Sequence, residues 1–413
     1  MTMSPPHAST ADADPILSWI GELLCPAGSG LRVLRDPSRG TPSVARWLAL
    51  PSAGRPRLLA PMTGAPAAAA LGQFNDSMTQ SARLRKWAVG QALRLGAGNL
   101  RRPHHVVLAG HPQRSDDDLL GAVLPEMVGE PLVTAVMLGG ARRPNTKPVL
   151  QLLRPDGRVL GYAKVGWNDL TRELLVNEHR ALTSWEARPP TTFEVPRALG
   201  STTWNGLSIL VVSPMPHHVL RSGPRNAPPP TPTARELAAH DGIEEVELAN
   251  VPFVARLHAD TDNLVDEPIR DAARAAISST IEQHGTRKIA VGTAHGDWGP
   301  WNMSRVGGRL HIWDWERMAA GVPIGTDILH LHFQASSFGS RSPVRAASSS
   351  ALAAAHGQLV ELGVNARIHR SLLDLYLVER LLRLAAGRSQ GVPIKQELVS
   401  EMIGMLPGRG GWR

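Results

Sequence analysis

The stretch His295-Gly296-Asp297-Trp298-Gly299-Pro300-Trp301-Asn302, with Asp314 following in the next hairpin, decides how this chain is read. Asp297 offers a carboxylate and Asn302 an amide oxygen, the donor types that orient a hydroxyl and ligate a hard divalent cation. Pro300 fixes one φ between them, and Gly296 and Gly299 permit tight backbone paths, so a short loop can hold both side chains toward one point. The turn Gly307-Gly308 and the strand Arg309 to Trp313 then return Asp314 to the same end of the hairpin. Three oxygen donors are expected to converge. A strict two-residue turn would place Asn302 opposite Trp313 and leave Asp314 on the other face. Convergence therefore requires a bulge, a longer loop or frayed strand ends.

HGDWGPWN followed by Ile312-Trp313-Asp314-Trp315-Glu316 resembles the aminoglycoside phosphotransferase and choline-kinase-like families of the protein-kinase-like superfamily. At about one in twenty per fixed position, HGDxxxxN arises by chance in roughly three of a thousand chains of this length. The resemblance implies Asp297 as catalytic base, Asn302 and Asp314 as Mg²⁺ ligands, and Glu316 as the second acid of a DxE pattern. It also implies ATP as donor and a strand lysine that holds nucleotide phosphates, paired with a glutamate on the next helix. Lys164, in Tyr162-Ala163-Lys164-Val165, and Glu178 match in order and spacing. Gly139-Gly140 stands where a phosphate-covering turn is expected, without the full GxGxxG. Ser213-Pro214-Met215-Pro216 reads as a hinge, with Ser213 and Met215 as candidate nucleotide contacts. Gly321-Val-Pro-Ile-Gly-Thr-Asp327 resembles the GxPxxxD element that closes these sites, and Asp327 is expected to be a helix N-cap. So few residues separate Asp314 from Asp327 that no protein-kinase activation segment fits between them. The acceptor implied is a small molecule such as an aminoglycoside, amino alcohol or sugar.

The resemblance covers about residues 132–384, and the fold it implies is α+β. A small antiparallel β lobe (131–213, nucleotide-binding) precedes a larger helical lobe (214–413, catalytic loop and acceptor site), in a two-lobed protein-kinase-like arrangement. Residues 1–130 form an α/β extension of unknown role. Strands are expected at Val44 to Leu50, Arg57 to Leu59, Leu132 to Leu138, Pro148 to Leu153 and Val159 to Val165. A strand pair is expected around Glu194 to Ala198 and Ser208 to Val212. The periodicity predicts helices over 80–95, 170–185, 234–240, 251–258, 271–284, 349–362 and 371–386. In the first of these Leu84, Trp87, Ala88, Ala92 and Leu95 make the apolar face.

The chain has 413 residues, 42% hydrophobic and 19% charged, which is the composition of a globular protein. A formal charge of +8 invites a nucleic-acid reading, but the arginines are scattered and only five lysines are present, so no nucleic-acid or membrane partner is expected. The single cysteine, Cys25, excludes an intrachain disulfide and any Cys-based metal cluster. The opening MTMSPPHAST lacks the plan of a signal peptide, and a cytoplasmic protein is expected. His295 reads as an orienting loop residue. His311, His330 and His332 show no metal-ligand spacing and read as ordinary histidines. Trp313 and Trp315 read as core, and Asp241, Glu244, Glu245 and Glu247 as a solvated helical face. The alternative to an enzyme is a non-catalytic kinase-like module that binds a ligand or partner.

Overall fold

The computed structural model describes residues 15–36, 40–52, 56–62, 64–100, 104–113, 118–138, 144–216, 229–337, 344–392 and 394–407. Gly139 and Gly140, the expected phosphate-covering turn, lie outside the described residues. In chain order the elements are α1 (Pro15–Leu24), β1 (Arg32–Arg35), β2 (Ser43–Leu50), β3 (Leu58–Pro61), α2 (Gly64–Leu71), α3 (Gln80–Arg94), β4 (His105–Ala109), α4 (Leu124–Val128), β5 (Val133–Met137), β6 (Val149–Leu153), β7 (Val159–Gly166) and α5 (Asp169–Ala187). Then come β8 (Phe193–Glu194), β9 (Ala198–Trp204), β10 (Leu207–Val212), α6 (Thr231–Ala238), β11 (Glu244–Glu247), α7 (Pro252–Asp262), α8 (Glu267–His284), β12 (Lys288–Ala294), β13 (Met303–Val306), β14 (Arg309–Ile312) and β15 (Ala319–Pro323). Helices α9 (Thr326–Ser337), α10 (Val344–Glu361), α11 (His369–Ser389) and α12 (Gln396–Met405) follow. The class is α+β, as expected.

Two compact units divide the chain, the first of residues 1–74, 78–183 and 196–221, the second of 75–77, 184–195 and 222–413. The first is built on one nine-stranded sheet in the order β1-β4-β2-β3-β5-β6-β7-β10-β9. All its pairings are antiparallel, and β5, β6 and β7 form the expected meander. The composition change at residue 132 is not a change of sheet. Leu58 and Leu59 of β3 pair with Met137 and Val136 of β5, so the strands before residue 110 extend the same ladder. The largest core cluster joins both stretches, with Leu17, Trp47, Leu59 and Val106 packing with Val136, Leu152, Val165 and Val211. Trp47 donates through Nε1 to the Thr134 carbonyl at 2.7 Å, fixing the largest of these side chains.

Two expectations for this region are corrected. Glu194 does not pair with β10, because β8 runs parallel to β14 and β9 takes the place beside β10. The face of α3 is also rotated, with Leu84, Trp87 and Leu95 exposed while Arg83 and Leu93 are buried. Apolar spacing named the helix correctly and its buried side wrongly, since a helix with two candidate stripes buries whichever one its neighbours leave room for.

The second unit holds two small sheets, β11-β12-β15 and β13-β14-β8, among helices α6 to α12. Helix α11 runs through its core and is buried from Leu372 to Val378 and again at Leu381 and Leu382, with Glu379 and Arg380 half-buried between. The acids Glu244, Glu245 and Glu247 lie on a strand, β11, and not on a helix, and all three are exposed. Among the described residues no helix is long and apolar enough to cross a membrane.

Candidate active site

Strand β12 ends at Ala294 and delivers the chain into the loop His295 to Asn302. Gly296 has φ 79°, and a Cβ there would meet the Arg317 carbonyl oxygen at 2.4 Å, so glycine alone fits. The loop hangs on a carboxylate from the next layer. Asp327, in the first turn of α9, accepts from the backbone N–H groups of His295 at 2.7 Å and Gly296 at 2.9 Å. Asp327 is thus not the expected N-cap: it lies inside α9, after Thr326, and its carboxylate tethers the loop.

Burial outweighs those two hydrogen bonds and pushes the Asp327 carboxyl up to about 6. A raised carboxyl pKa contributes stability that is complete below the unfolded value near 3.8 and is lost as pH rises through 6. Wild type should therefore exceed Asp327→Asn in stability by more at pH 5 than at pH 7.5. Denaturant midpoints of the two proteins at each pH check this, and an equal gap at both refutes it. Burial lowers the neighbouring His295 to about 4, but both proteins carry that group and it cancels in the difference.

His295 is fully buried and neutral. Its Nδ1 accepts the Asp297 N–H at 3.2 Å, which leaves the proton on Nε2 to be donated to the Trp313 carbonyl at 3.1 Å. Both ring nitrogens are engaged, so His295 holds the loop to the end of β14 and has no free base to offer. Beneath it the Trp315 ring lies 4.5 Å away, part of a buried group with Trp185 and Phe193. Trp315 is core, as expected, and Trp313 is only half-buried.

Asp297 is fixed from three directions. Asn302 Nδ2 donates to its carbonyl at 2.9 Å and to Oδ2 at 3.1 Å, and His330 Nε2 lies 3.2 Å from Oδ1. His330 is set in turn by the Tyr376 hydroxyl, 3.2 Å from Nδ1. A carboxylate can only accept, so the His330 proton sits on Nε2 and Tyr376 donates to Nδ1. Burial holds His330 below its ordinary value and keeps it neutral. Burial would also raise Asp297, but the His330 contact outweighs it and holds the carboxyl below the usual range. The result is an ionised, aimed carboxylate that keeps a quarter of its side chain exposed.

The register question resolves through the backbone. Gly307 and Gly308, at φ 60° and 84°, make a strict two-residue turn, Met303 pairs with Ile312, and Trp313 donates to the Asn302 carbonyl at 3.0 Å. Asn302 therefore does lie opposite Trp313. Asn302 closes a 3₁₀ turn just before β13, and the next residue after Trp313, Asp314, takes φ 70°, one of three non-glycine residues with positive φ among the described residues. That left-handed residue breaks the alternation which would have carried Asp314 away. The Asp314 charge raises the pKa of both His295 and Asp297, against the lowering that each shows overall.

With Nδ2 committed to Asp297, Asn302 has one oxygen to offer, and Asp314 adds a carboxylate. An amide oxygen and a carboxylate are the donor types that fit a hard divalent cation such as Mg²⁺. In the first unit, Lys164 Nζ lies 2.6 and 2.7 Å from the two oxygens of Glu178. Lys164 is not on an edge strand, since β7 pairs with β6 through Val149 and with β10 through Leu210. Ser213 and Arg197 exchange hydrogen bonds at 2.9 Å, which closes the β10 end, and Met215 follows half-buried. His330 and Tyr376 were missed by the sequence reading. Neither stands in a motif, and only the fold brings α9 and α11 to the loop.

No family model matches the chain, and no curated protein matches it. Comparison with solved structures finds aminoglycoside phosphotransferase APH(4)-Ia, as a thermostable mutant in ternary complex with ADP and hygromycin B, at TM-score 0.46 and 12% identity over 69% of this chain and 95% of that one. It also finds a protein described as a fructosamine-3-kinase, from Haemophilus somnus 129PT, at TM-score 0.46 and 12% identity over 68% and 94%. Choline kinase LicA from Streptococcus pneumoniae aligns at TM-score 0.43 and 12% identity over 68% and 95%. These three solved structures, to which this chain is similar, are described as an aminoglycoside phosphotransferase, a fructosamine-3-kinase and a choline kinase.

Proposed function

We propose that this chain transfers the γ-phosphate of ATP to a hydroxyl of a small molecule. The carrying observation is Asp297, ionised, partly exposed and aimed by Asn302 and His330, with Asp314 in a left-handed backbone conformation just past β14. In the reaction the acceptor oxygen bonds to the γ-phosphorus as the bond from that phosphorus to the ADP oxygen breaks. Asp297 orients the attacking hydroxyl and takes its proton. A carboxylate of low basicity suits a loose transition state, in which the proton leaves late. Asn302 and Asp314 are the residues that would hold Mg²⁺, which when bound supplies neutralisation of phosphate charge.

Lys164, steadied by Glu178, is the proposed ligand of nucleotide phosphates, with Ser213 and Met215 as further nucleotide contacts. Residues 131–213 are thereby assigned to nucleotide binding and 214–413 to the catalytic loop and acceptor, in a cytoplasmic protein that draws on the ATP pool. The short path from Asp314 to Asp327, taken up by β15 and the start of α9, supports a small acceptor over a protein. The test is transfer of labelled γ-phosphate from Mg-ATP across a panel of aminoglycosides, amino alcohols, sugars and sugar acids. At least one product is expected. Nucleotide binding without hydrolysis or transfer would leave only a binding module.

A further inference from the structure

Helix α3 turns its more apolar side outward. Only Arg83, Gly90 and Leu93 are buried along it. Leu93 packs with Leu48, Ala67 and Leu71, and Gly90 lies so close to α2 that a Cβ there would meet the Ala68 carbonyl oxygen at 3.2 Å. Leu84, Trp87, Val89 and Leu95 are exposed, Trp87 at 47% and Leu95 at 88%. A surface helix of a globular protein normally buries such residues, and an apolar outward side rimmed by charge marks a face that something covers.

The outward residues are ordered around the helix. At a step of about 100° per residue, Trp87, Leu84 and Leu95 share an arc of about 80°, with Arg94 about 20° beyond Trp87 on one side and Arg85 about 80° beyond Leu95 on the other. Both arginines are exposed, and among the described residues neither has an ion-pair partner. The other two cations of α3 are withdrawn from this face, Arg83 by burial and Lys86 by donating through Nζ to the Gln73 carbonyl at 2.7 Å. No acid on the helix offsets them, since residues 77–115 hold seven Arg and Lys and no Asp or Glu. The face is therefore an apolar ridge bordered on both sides by unneutralised positive charge, and the partner that complements it is anionic.

We infer that α3 is the contact through which this protein adsorbs to an anionic lipid surface. Leu84, Trp87 and Leu95 enter the boundary between headgroups and acyl chains, and Arg85 and Arg94 meet headgroup phosphates on either side. Tryptophan and arginine suit that depth, each having an apolar body and a polar end. A second copy of this chain fits poorly, because a two-fold pairing of α3 with itself would set its arginines against like charge. An acidic protein would satisfy the charge, but each side of a specific protein complex contributes about 20–30 residues, and α3 offers a ridge one helix wide. Adsorption on lipid needs no more than such a ridge. The scatter of arginines along the sequence, which argued against a membrane partner, conceals the pattern because it exists only on a helix face. This contact is independent of the roles proposed for Asp297 and Asp314.

The full-length protein is sedimented with vesicles of phosphatidylcholine alone and with vesicles of phosphatidylcholine and phosphatidylserine in equal parts. Binding to the anionic vesicles is expected to be about tenfold tighter or more, the effect of two arginines near a charged surface, and to weaken as salt is raised. Leu84→Ser/Trp87→Ser and, separately, Arg85→Gln/Arg94→Gln should each weaken it by about tenfold. Val265→Ser, at an exposed apolar residue elsewhere, and Arg274→Gln, at an exposed arginine paired with Asp262, should leave it unchanged. Trp87→Phe keeps an apolar ring and should still bind, but bromine-labelled acyl chains should quench its tryptophan fluorescence less than that of wild type. Equal binding or no binding to the two kinds of vesicle overturns the lipid contact, as does anionic binding that survives in either double variant or quenching unchanged in Trp87→Phe. Dimerisation without lipid that Leu84→Ser/Trp87→Ser abolishes overturns it in favour of a second copy. Capture of polyglutamate by a protein that ignores both vesicles overturns it in favour of an acidic protein.

Discussion

Replacing Asp297 by Asn should lower phosphate transfer by about 10²–10⁴-fold, the range for loss of a positioned general base, while nucleotide affinity stays within a few-fold of wild type. The carboxylate is held by Asn302 on one oxygen and approached by His330 on the other, and the amide is nearly the same shape. Packing therefore survives the change, and what is lost is a proton acceptor aimed at the acceptor hydroxyl. The introduced amide would also face the His330 N–H with an uncharged oxygen, or turn its own NH₂ toward it and repel it. Labelled-phosphate transfer gives kcat, and calorimetric titration with Mg-ADP gives the affinity. Turnover near wild type would remove Asp297 from its role. An equal loss of nucleotide affinity would instead assign it to ground-state binding.

The chemistry of this loop was legible because it is local. His295, Asp297 and Asn302 lie within one turn of chain, with glycines where the backbone must take positive φ or pass close to a neighbour. Lys164 and Glu178 were legible for a related reason, one strand and the next helix being a fixed distance apart along the sequence. What the sequence could not show depends on packing between distant elements. The tether from Asp327 and the relay from Tyr376 through His330 join α9 and α11 to the loop; Asp327 stands in the GxPxxxD element, which does not name its partners, and His330 and Tyr376 sit in no spaced motif. The nine-stranded sheet escaped notice in the same way. Residues 57–59 and 132–138 read as strands of separate regions, and nothing local says that β3 will pair with β5. The left-handed Asp314 is a different case, since the hairpin register showed that something must break the alternation without showing where.

Glu178→Ala should destabilise the protein by about 3–5 kcal/mol, the cost of removing one partner from a buried ion pair. The Glu178 side chain has no exposure and that of Lys164 keeps 11%, so the surviving ammonium would lose its two-oxygen contact in nearly dry surroundings on a central strand. That small exposure favours the lower end of the range. Denaturant unfolding measures the loss, and a change below about 1 kcal/mol would show that Lys164 reaches solvent or another partner without strain. The double variant Lys164→Met/Glu178→Leu separates the structural part from the functional one. Apolar replacements of both partners of a buried pair are often neutral or stabilising, because desolvation of two charges offsets most of their attraction. The double variant should thus recover most of the stability that Glu178→Ala loses and still fail to bind nucleotide phosphates. A pair that apolar side chains could replace without loss of stability has its reason in what the lysine does when phosphate arrives.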